Sequence, residues 1–586
     1  MNTAVTRLGK IGIFMIFVQL LVASCHKIDS KSFIPETPDI SFPETSVSVS
    51  DIQDTIELPI NANLPWRVKS NADWLTFISA NGDGTGHFRV AIARNRLTES
   101  RTAEVVGYIT EDAEVKMTIV QEAGEPAPDF TRYFYVTANA DANNDGFSWE
   151  EATTLDAALD RAADGDFIYL SEGAYVPTVT LTGGNTSNPR DNTFEITKNV
   201  HLVGGYPVNA VEGTIPNPTA HPVILSGNGQ AHHVVVVTAI PENEHHVSMK
   251  GITISKGHAG ASGAVTVNGV SLARNYGGGL VVVKSKLLME DCQVFDNASD
   301  QHIPGVYILS QANVTMRRTI ISTNIGKGNG GGIWNDGSTL YMYDSEIVKN
   351  IADGVGGGLY SLNVNTVSYN YLYNVTIAHN QVGLPGYARV GAGIYSRERS
   401  QYKIVNSTIY GNMNVGEGFG AGITAYGGST IDIINTTISN NEGGVGNTGN
   451  NGGAGLFNNN APTQNTVRIY NSIISGNVGH PNEIGGGNID LQSSIAGTAV
   501  YNYDKAVEPG QSFDPTAMFA AFAHYGNGFG ATIPVIVNTP ASTFGMTPLQ
   551  LQILAANLAL DEEYYLEDQN KKPRTSNNAM GAALPE

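Results

Sequence analysis

Eight times between residues 247 and 477 the chain returns to one short phrase: "VSMKGITISKG", "LLMEDCQVFDN", "VTMRRTIISTN", "LYMYDSEIVKN", "NYLYNVTIAHN", "YKIVNSTIYGN", "IDIINTTISNN" and "VRIYNSIISGN". Seven of the eight end in asparagine (Asn297, Asn324, Asn350, Asn380, Asn412, Asn441, Asn477), and the first ends in Gly257. Three places before each end stands a β-branched residue: Ile254, Val294, Ile321, Ile347, Ile377, Ile409, Ile438, Ile474. Eight places before it stand Met249, Met289, Met316, Met342, Leu372, Ile404, Ile433 and Ile469. Two unbroken apolar columns separated by loops of variable length describe a solenoid, in which each coil buries its inside against its neighbours. The asparagines are expected to form a ladder at one corner, their amides bonded along the stack.

Between these phrases lie glycine strings: "GGGLVV", "GGGIWN", "GGGLYS", "GAGIYS", "GAGITA" and "GAGLFN". The residue after the last glycine (Leu280, Ile333, Leu359, Ile394, Ile423, Leu456) supplies a third inward column. The small residues before it let the backbone turn where a Cβ would strike the next coil. Strand side chains alternate, so the following residue faces out: Val281, Trp334, Tyr360, Tyr395, Thr424, Phe457. Trp334, Tyr360 and Tyr395 then stand above one another at roughly 4.8 Å. That is close to the length of one sugar residue, so an open stripe of this kind would make a polysaccharide track, with Phe457 extending it; covered by a loop or by the N-terminal domain, the same rings would merely fill that contact.

Beside this stripe lies a basic cluster, "YARVGAGIYSRERSQYK", holding Arg389, Arg397, Arg399 and Lys403 against Glu398. Arg397 follows Tyr395 by two and shares its face. Lys349 and His379 take equivalent corner positions on adjoining coils. β-Elimination of a uronic-acid polymer needs a cation for the C5 carboxylate and a base for the α-proton. Arg397 or Arg399 suits the first role; Tyr395, His379 or Tyr426 suits the second. Lys349, Arg389, Trp334, Tyr360 and Phe457 complete the expected substrate contacts. No metal or cofactor is expected: Asp291 and Asp344 are two coils apart at a position elsewhere held by asparagine. The loop "DANNDGFSWEEA" carries Ala152 where calcium would require a glutamate, so it reads as a polar turn. The alternative is a non-catalytic glycan-binding or adhesive protein using the same stripe.

The chain has 586 residues with 54 acidic against 33 basic side chains, a formal charge of −21. That balance argues against a nucleic-acid partner. A monomer is expected. Gly reaches 66 without a collagen period, as in a turn-rich β protein.

"GGGI" and "GAGI" strings paired with "IxxN" endings resemble the repeats of polymorphic outer-membrane proteins and, more broadly, the pectate-lyase-like superfamily. The resemblance spans about residues 130–500 and implies a right-handed parallel β-helix. "ADGDFIYLSEGAY" resembles its N-terminal cap, where Leu155, Ala158, Leu159 and Ala162 share a helical face behind Thr153 or Thr154 as N-cap. Residues 501–586, with "TPLQLQILAANLALDEEYY", read as a C-terminal capping segment.

Residues 45–124 alternate with period two between turns ("TIELPI", "PWRVKS", "HFRVAIA", "TAEVVGYIT", "VKMTIVQ"), predicting a small antiparallel β-sandwich. "PWRV", "DWLTF", "ARNRLTESRTAEV" and "IVQEAG" in this stretch resemble the BACON domain of Bacteroidetes surface proteins. Trp74 is expected to pack within the sandwich. Residues 1–25 read as a lipoprotein signal peptide, with Arg7 and Lys10, an apolar run, and "VASC" resembling a lipobox. Lipid on Cys25 would then anchor the protein to the outer membrane, at the cell surface, with residues 26–44 as a tether. Cys292, the other cysteine, reads as a packed core residue.

Overall fold

The structure is a computed structural model. It describes residues 37–585 apart from 51–53, 73, 94, 96–98, 124–130, 242–245, 261, 445–451, 509–512, 527, 561 and 575–577. The expected signal peptide, Cys25 and most of the tether lie outside the described residues. The chain divides into two compact units at 129/130.

The first unit is a β-sandwich. One sheet runs Ile40–Ser41, Asp54–Ala62, Gly86–Ile92, Leu75–Ser79; the other runs Ser46–Val49, Ala113–Gln121, Arg101–Thr110, Pro65–Lys69, Asn81–Asp83. Its core gathers the inward residues of the alternating strands, among them Ile60, Trp66, Phe88, Val90, Val105 and Ile119. Trp66 is buried and its indole N–H donates to the Gly84 carbonyl at 2.6 Å. Trp74 packs against the edge of this core beneath the Arg101 guanidinium, 4.5 Å from the ring centre. One pairing departs from expectation: Ser46–Val49 joins Ala113–Gln121 in parallel. It arrives from the preceding segment rather than through a hairpin, so nothing obliges it to run antiparallel.

The second unit is a parallel β-helix. Its coils contribute to a long sheet of 22 strands, a second of ten and a third of six two-residue strands. Pairings along each sheet are parallel and join successive coils, for example Met316 to Met342 to Leu372 to Ile404, until Ser494–Ala496 pairs antiparallel with Ala499–Tyr501 at the end of the long sheet. Strand–turn–strand crossovers between parallel strands take the right hand as a rule. The three inward columns meet in one continuous core, and every column residue named above is 0% exposed. Cys292 lies in that core, its thiol pushed up to about 12 by burial.

The asparagine corner forms as expected. Each side-chain amide donates to the next coil's Asn Oδ1, from Asn297 to Asn324, Asn350, Asn380, Asn412, Asn441 and Asn477, over 2.8–3.0 Å. Each also reaches back to a carbonyl of the preceding coil, as Asn380 does to Ile347 at 2.8 Å. The ladder ends on Glu483, whose carboxylate accepts from the Asn477 side chain at 2.6 Å.

The glycines answer to the same corner. Gly356 opens its string at φ +70, in the left-handed region that glycine favours. A Cβ on Gly358, the last of that string, would stand 2.6 Å from the Gly393 carbonyl oxygen and 3.0 Å from the Asn380 amide. A second corner uses side chains instead: Asp291, Arg318, Asp344, Asn374, Asn406, Asn435 and Asn471 all hold φ between +46 and +56. Asp291 and Asp344 are thus members of a turn column. The first pairs with Arg318 at 2.6 Å and the second with Lys571 at 2.8 Å.

The helix Leu155–Arg161 closes the first coil. The Thr154 hydroxyl caps it by accepting from the Ala157 N–H, and Leu155, Ala158 and Ala162 enter the solenoid core. In the "DANNDGFSWEEA" loop the Asp141 and Asp145 carboxylates accept from the backbone N–H two residues on, as polar turns do.

The C-terminal segment does more than close the last coil. It runs back along the outer face of the long sheet, where Tyr564 packs on Tyr343 and Tyr373, and Gln569 bonds Thr376 and Thr408. Its helix Pro548–Leu558 starts from a capping box of Thr547 and Gln550.

Candidate functional site

The outward row of the ten-stranded sheet is continuous. Registers pair Val281 with Tyr307, then Trp334, Tyr360, Tyr395, Thr424 and Phe457. Ring centres follow at 5.6 Å (Tyr307–Trp334), 4.8 Å (Trp334–Tyr360) and 5.6 Å (Tyr360–Tyr395). These rings stand outside the solenoid core, in a separate cluster.

Of the two readings of this row, the open stripe fails and the covered face holds. Trp334 is 8% exposed, Tyr360 1% and Tyr395 8%. Tyr276 stacks on the indole at 5.7 Å and His302 meets it edge-on at 5.8 Å. Ile303, Val355, Leu362 and Val390, from the segments linking the coils, fill in around the row. Alternation tells which side of a strand a residue takes; it cannot tell that the loops fold back over that side. Phe457 is only half-buried, but it packs on Phe419 at 5.0 Å rather than extending a track.

A second outward column lies two residues further on. The register places Leu309 beside Asp336 and Tyr426 beside Asn459, and the pairing of Ser361 with Ser396 brings the next residues, Leu362 and Arg397, into line. Asp336 and Arg397 are therefore equivalent positions with the coil of Leu362 between them, about 10 Å apart along the backbone. The Asp336 carboxylate accepts from the Tyr307 hydroxyl at 2.9 Å and from the Asn363 amide at 2.6 Å. Burial raises its pKa although both donors pull it down. Neither Asp336 nor Tyr307 was singled out from the sequence. The signal was there, since "IWND" puts Asp336 at the same parity as Arg397 in "IYSR".

Arg397 anchors the other end. Its Nε donates to Glu398 Oε1 at 3.2 Å, its guanidinium lies 5.4 Å from the Tyr426 ring centre, and its side chain stays 39% exposed. Burial pushes the Tyr395 phenol up to about 12 and Tyr360 higher still, while the positive charge of Arg397 works against both rises. Tyr426 is half-buried, so its ring reaches solvent where Tyr360 does not.

The remaining expected residues scatter. Arg399 is exposed at a left-handed turn, φ +63. Arg389 sits on the 383–391 loop, donates to the Asp353 carbonyl at 3.2 Å, and lines a cavity of about 310 Å³ with Lys327, Asn329 and Asp353. Lys349 and His379 do hold equivalent corner positions, at φ +59 and +56, but at the end of long-sheet strands. His379 meets Tyr410 and Phe522 edge-on at 5.7 and 5.5 Å, and burial lowers its pKa. The asparagine corner separates it from the sheet that carries Tyr395, so it leaves the expected catalytic set. What stays together is Arg397, Glu398, Tyr426, Tyr395 and Tyr360, with Asp336 two coils away. Among the described residues no cluster of histidine, cysteine and acidic side chains has the form of a metal centre.

No known family profile matches the chain, and no curated protein matches it. Among the solved structures that resemble it in outline are the following three. Pectate lyase Pel9A is 14% identical, with 78% of this chain and 97% of that one covered and a TM-score of 0.43. A rhamnogalacturonan lyase is 15% identical, covering 67% and 91%, TM-score 0.37. XylC in complex with xylose is 9% identical, covering 77% and 98%, TM-score 0.37. At these scores no residue role is carried across from any of them.

Proposed function

We propose that the protein acts on an acidic, uronic-acid-containing polysaccharide, such as a glycosaminoglycan, cleaving it within the chain by metal-independent β-elimination. The observation that carries this is Arg397: a partly open guanidinium seated over Tyr426 and beside the Tyr395 phenol, on a chain of net charge −21. A guanidinium so placed neutralises the uronate carboxylate, which acidifies the proton at C5. Tyr426 is the phenol within substrate reach and takes the base and acid roles at C5 and the leaving oxygen. Tyr395 and Tyr360, being buried, position Arg397 rather than touch substrate. Lipid on Cys25 would hold this activity at the outer membrane surface.

The test is incubation with glycosaminoglycans and polygalacturonate, read by the ultraviolet absorbance of the new C4–C5 double bond. Arg397→Ala and Tyr426→Phe are each expected to lower kcat about 100-fold or more, in line with a lost acid–base or charge-stabilising group. Full turnover in both variants overturns the assignment. The second reading is a non-catalytic glycan-binding surface protein that holds the polymer through the partly open Arg397, since the covered aromatic row leaves neither reading a stacking platform. Binding of the same polymers with no unsaturated product would select that reading.

A further inference from the structure

An open aromatic surface does exist, on a different face. The first two strands of the long sheet, Tyr133–Val136 and Phe167–Ser171, alternate so that Phe134, Val136, Ile168 and Leu170 enter the core. Their partners Tyr133, Tyr135, Phe167 and Tyr169 face out. Tyr133 pairs with Phe167 and Phe167 with His201; Tyr135 pairs with Tyr169. Ring centres run 5.7 Å from Tyr133 to Phe167, 4.6 Å on to His201, and 5.7 Å from Tyr135 to Tyr169. Trp149 and Tyr206 close the side at 4.9 Å from Tyr135 and 5.1 Å from Tyr169. The rings are inclined to one another by 29–69°, which makes a faceted wall instead of a single closed stack.

Unlike the Trp334 row, this wall is open. Tyr133 is 45% exposed, and Tyr135, Trp149, Phe167, Tyr169 and His201 are each partly exposed. The same sheet face is covered by the C-terminal segment from Tyr343 onward. Four phenol hydroxyls here, those of Tyr133, Tyr135, Tyr169 and Tyr206, bond to no described residue. Burial raises the pKa of the Tyr135, Tyr169 and Tyr206 phenols, and Glu212 adds to the rise at Tyr135. Rings with spare hydroxyls and little charge suit a ligand that offers C–H faces and hydroxyl groups together. A wholly apolar partner would strand the hydroxyls, and an acidic polymer would draw no ion pair from the rings themselves.

We propose that the Tyr133–Phe167–Tyr169–Trp149 wall is a binding site for neutral β-linked polysaccharide, independent of the Arg397 site. Each coil advances the wall by roughly 4.8 Å, close to one pyranose residue of an extended chain.

The test is electrophoresis of the full chain through gels containing hydroxyethylcellulose, arabinoxylan or polygalacturonate. At least one neutral polymer is expected to retard it. The Tyr133→Ala/Phe167→Ala double variant should weaken that retardation at least tenfold while keeping wild-type circular dichroism and any polygalacturonate cleavage. Tyr133→Phe should retain most of it. Failure of both neutral polymers to retard the protein overturns the proposal, as does retardation that survives the double replacement. A concentration-dependent oligomer that the double variant abolishes, without glycan binding, would assign the wall to a second copy and overturn it equally.

Discussion

His233 shows what enclosure does to one side chain. It follows His232 just ahead of the strand Val235–Val237 of the ten-stranded sheet, is 3% exposed, and its Nδ1 faces the Gly277 carbonyl at 2.9 Å. Burial lowers its pKa from 6.5 to about 4, and that of His232 likewise. The folded value lies below the unfolded one, so the unfolded chain binds more protons between those pH values. The stability is whole above pH 6.5 and is lost as the pH falls toward 4, by about 3 kcal/mol for His233. A His233→Gln variant should show a flatter dependence of Tm on pH across that window. A slope unchanged from wild type would mean that His233 does not carry the effect.

Among elements, the asparagine corner decides stability. Asn380 accepts from both the backbone N–H and the side-chain amide of Asn350, each at 3.0 Å, and donates to Asn412 and Ile347. Asn380→Ala strands two buried donors of Asn350, and a cost of about 2–4 kcal/mol follows. Gly358→Ala attacks the same corner sterically, because its Cβ meets the Gly393 carbonyl and that carbonyl is backbone with nowhere to retreat. Urea unfolding should place both variants well below wild type, with a Ser439→Ala control on the same coil stack near it. Equal midpoints for all three would show that the ladder is dispensable.

At the scale of the whole molecule, the C-terminal segment is part of the solenoid's surface. Tyr343, Tyr373, Val405, Ile434 and Tyr470 pack against Met546, Leu551 and Tyr564. Arg574 is fully buried and donates to the carbonyls of Ala579 and Gly581, its pKa lowered to about 10 by that burial. Removing residues 513–586 would bare that apolar face, and such faces drive association. The truncated protein should bind a hydrophobic dye and elute as aggregates from a sizing column. A monomeric, dye-silent truncation would show that the segment is an appendage.

The inward columns, the asparagine ladder, the capping helix and the packed Cys292 were all legible in the chain, because each repeats or alternates with the local backbone period. Arg397 beside Tyr395 was legible for the same reason. Asp336 could have been found by the same parity and was passed over. Exposure was not legible for Trp334, Tyr360 and Tyr395, nor was the separation of His379 from them. The long loops that cover the row carry no periodicity, and their path is set by what they meet after the coils have stacked.

By itself, then, the sequence determined which way every strand residue points and that the coils must pile into a rod, since both follow from backbone geometry acting over a few residues. Only the tertiary structure decided which outward faces remain in contact with water. It closed the Trp334 row beneath Tyr276 and His302, and left the Tyr133 wall open. Cover is a matter of contacts between segments distant in the chain, and no local period encodes them.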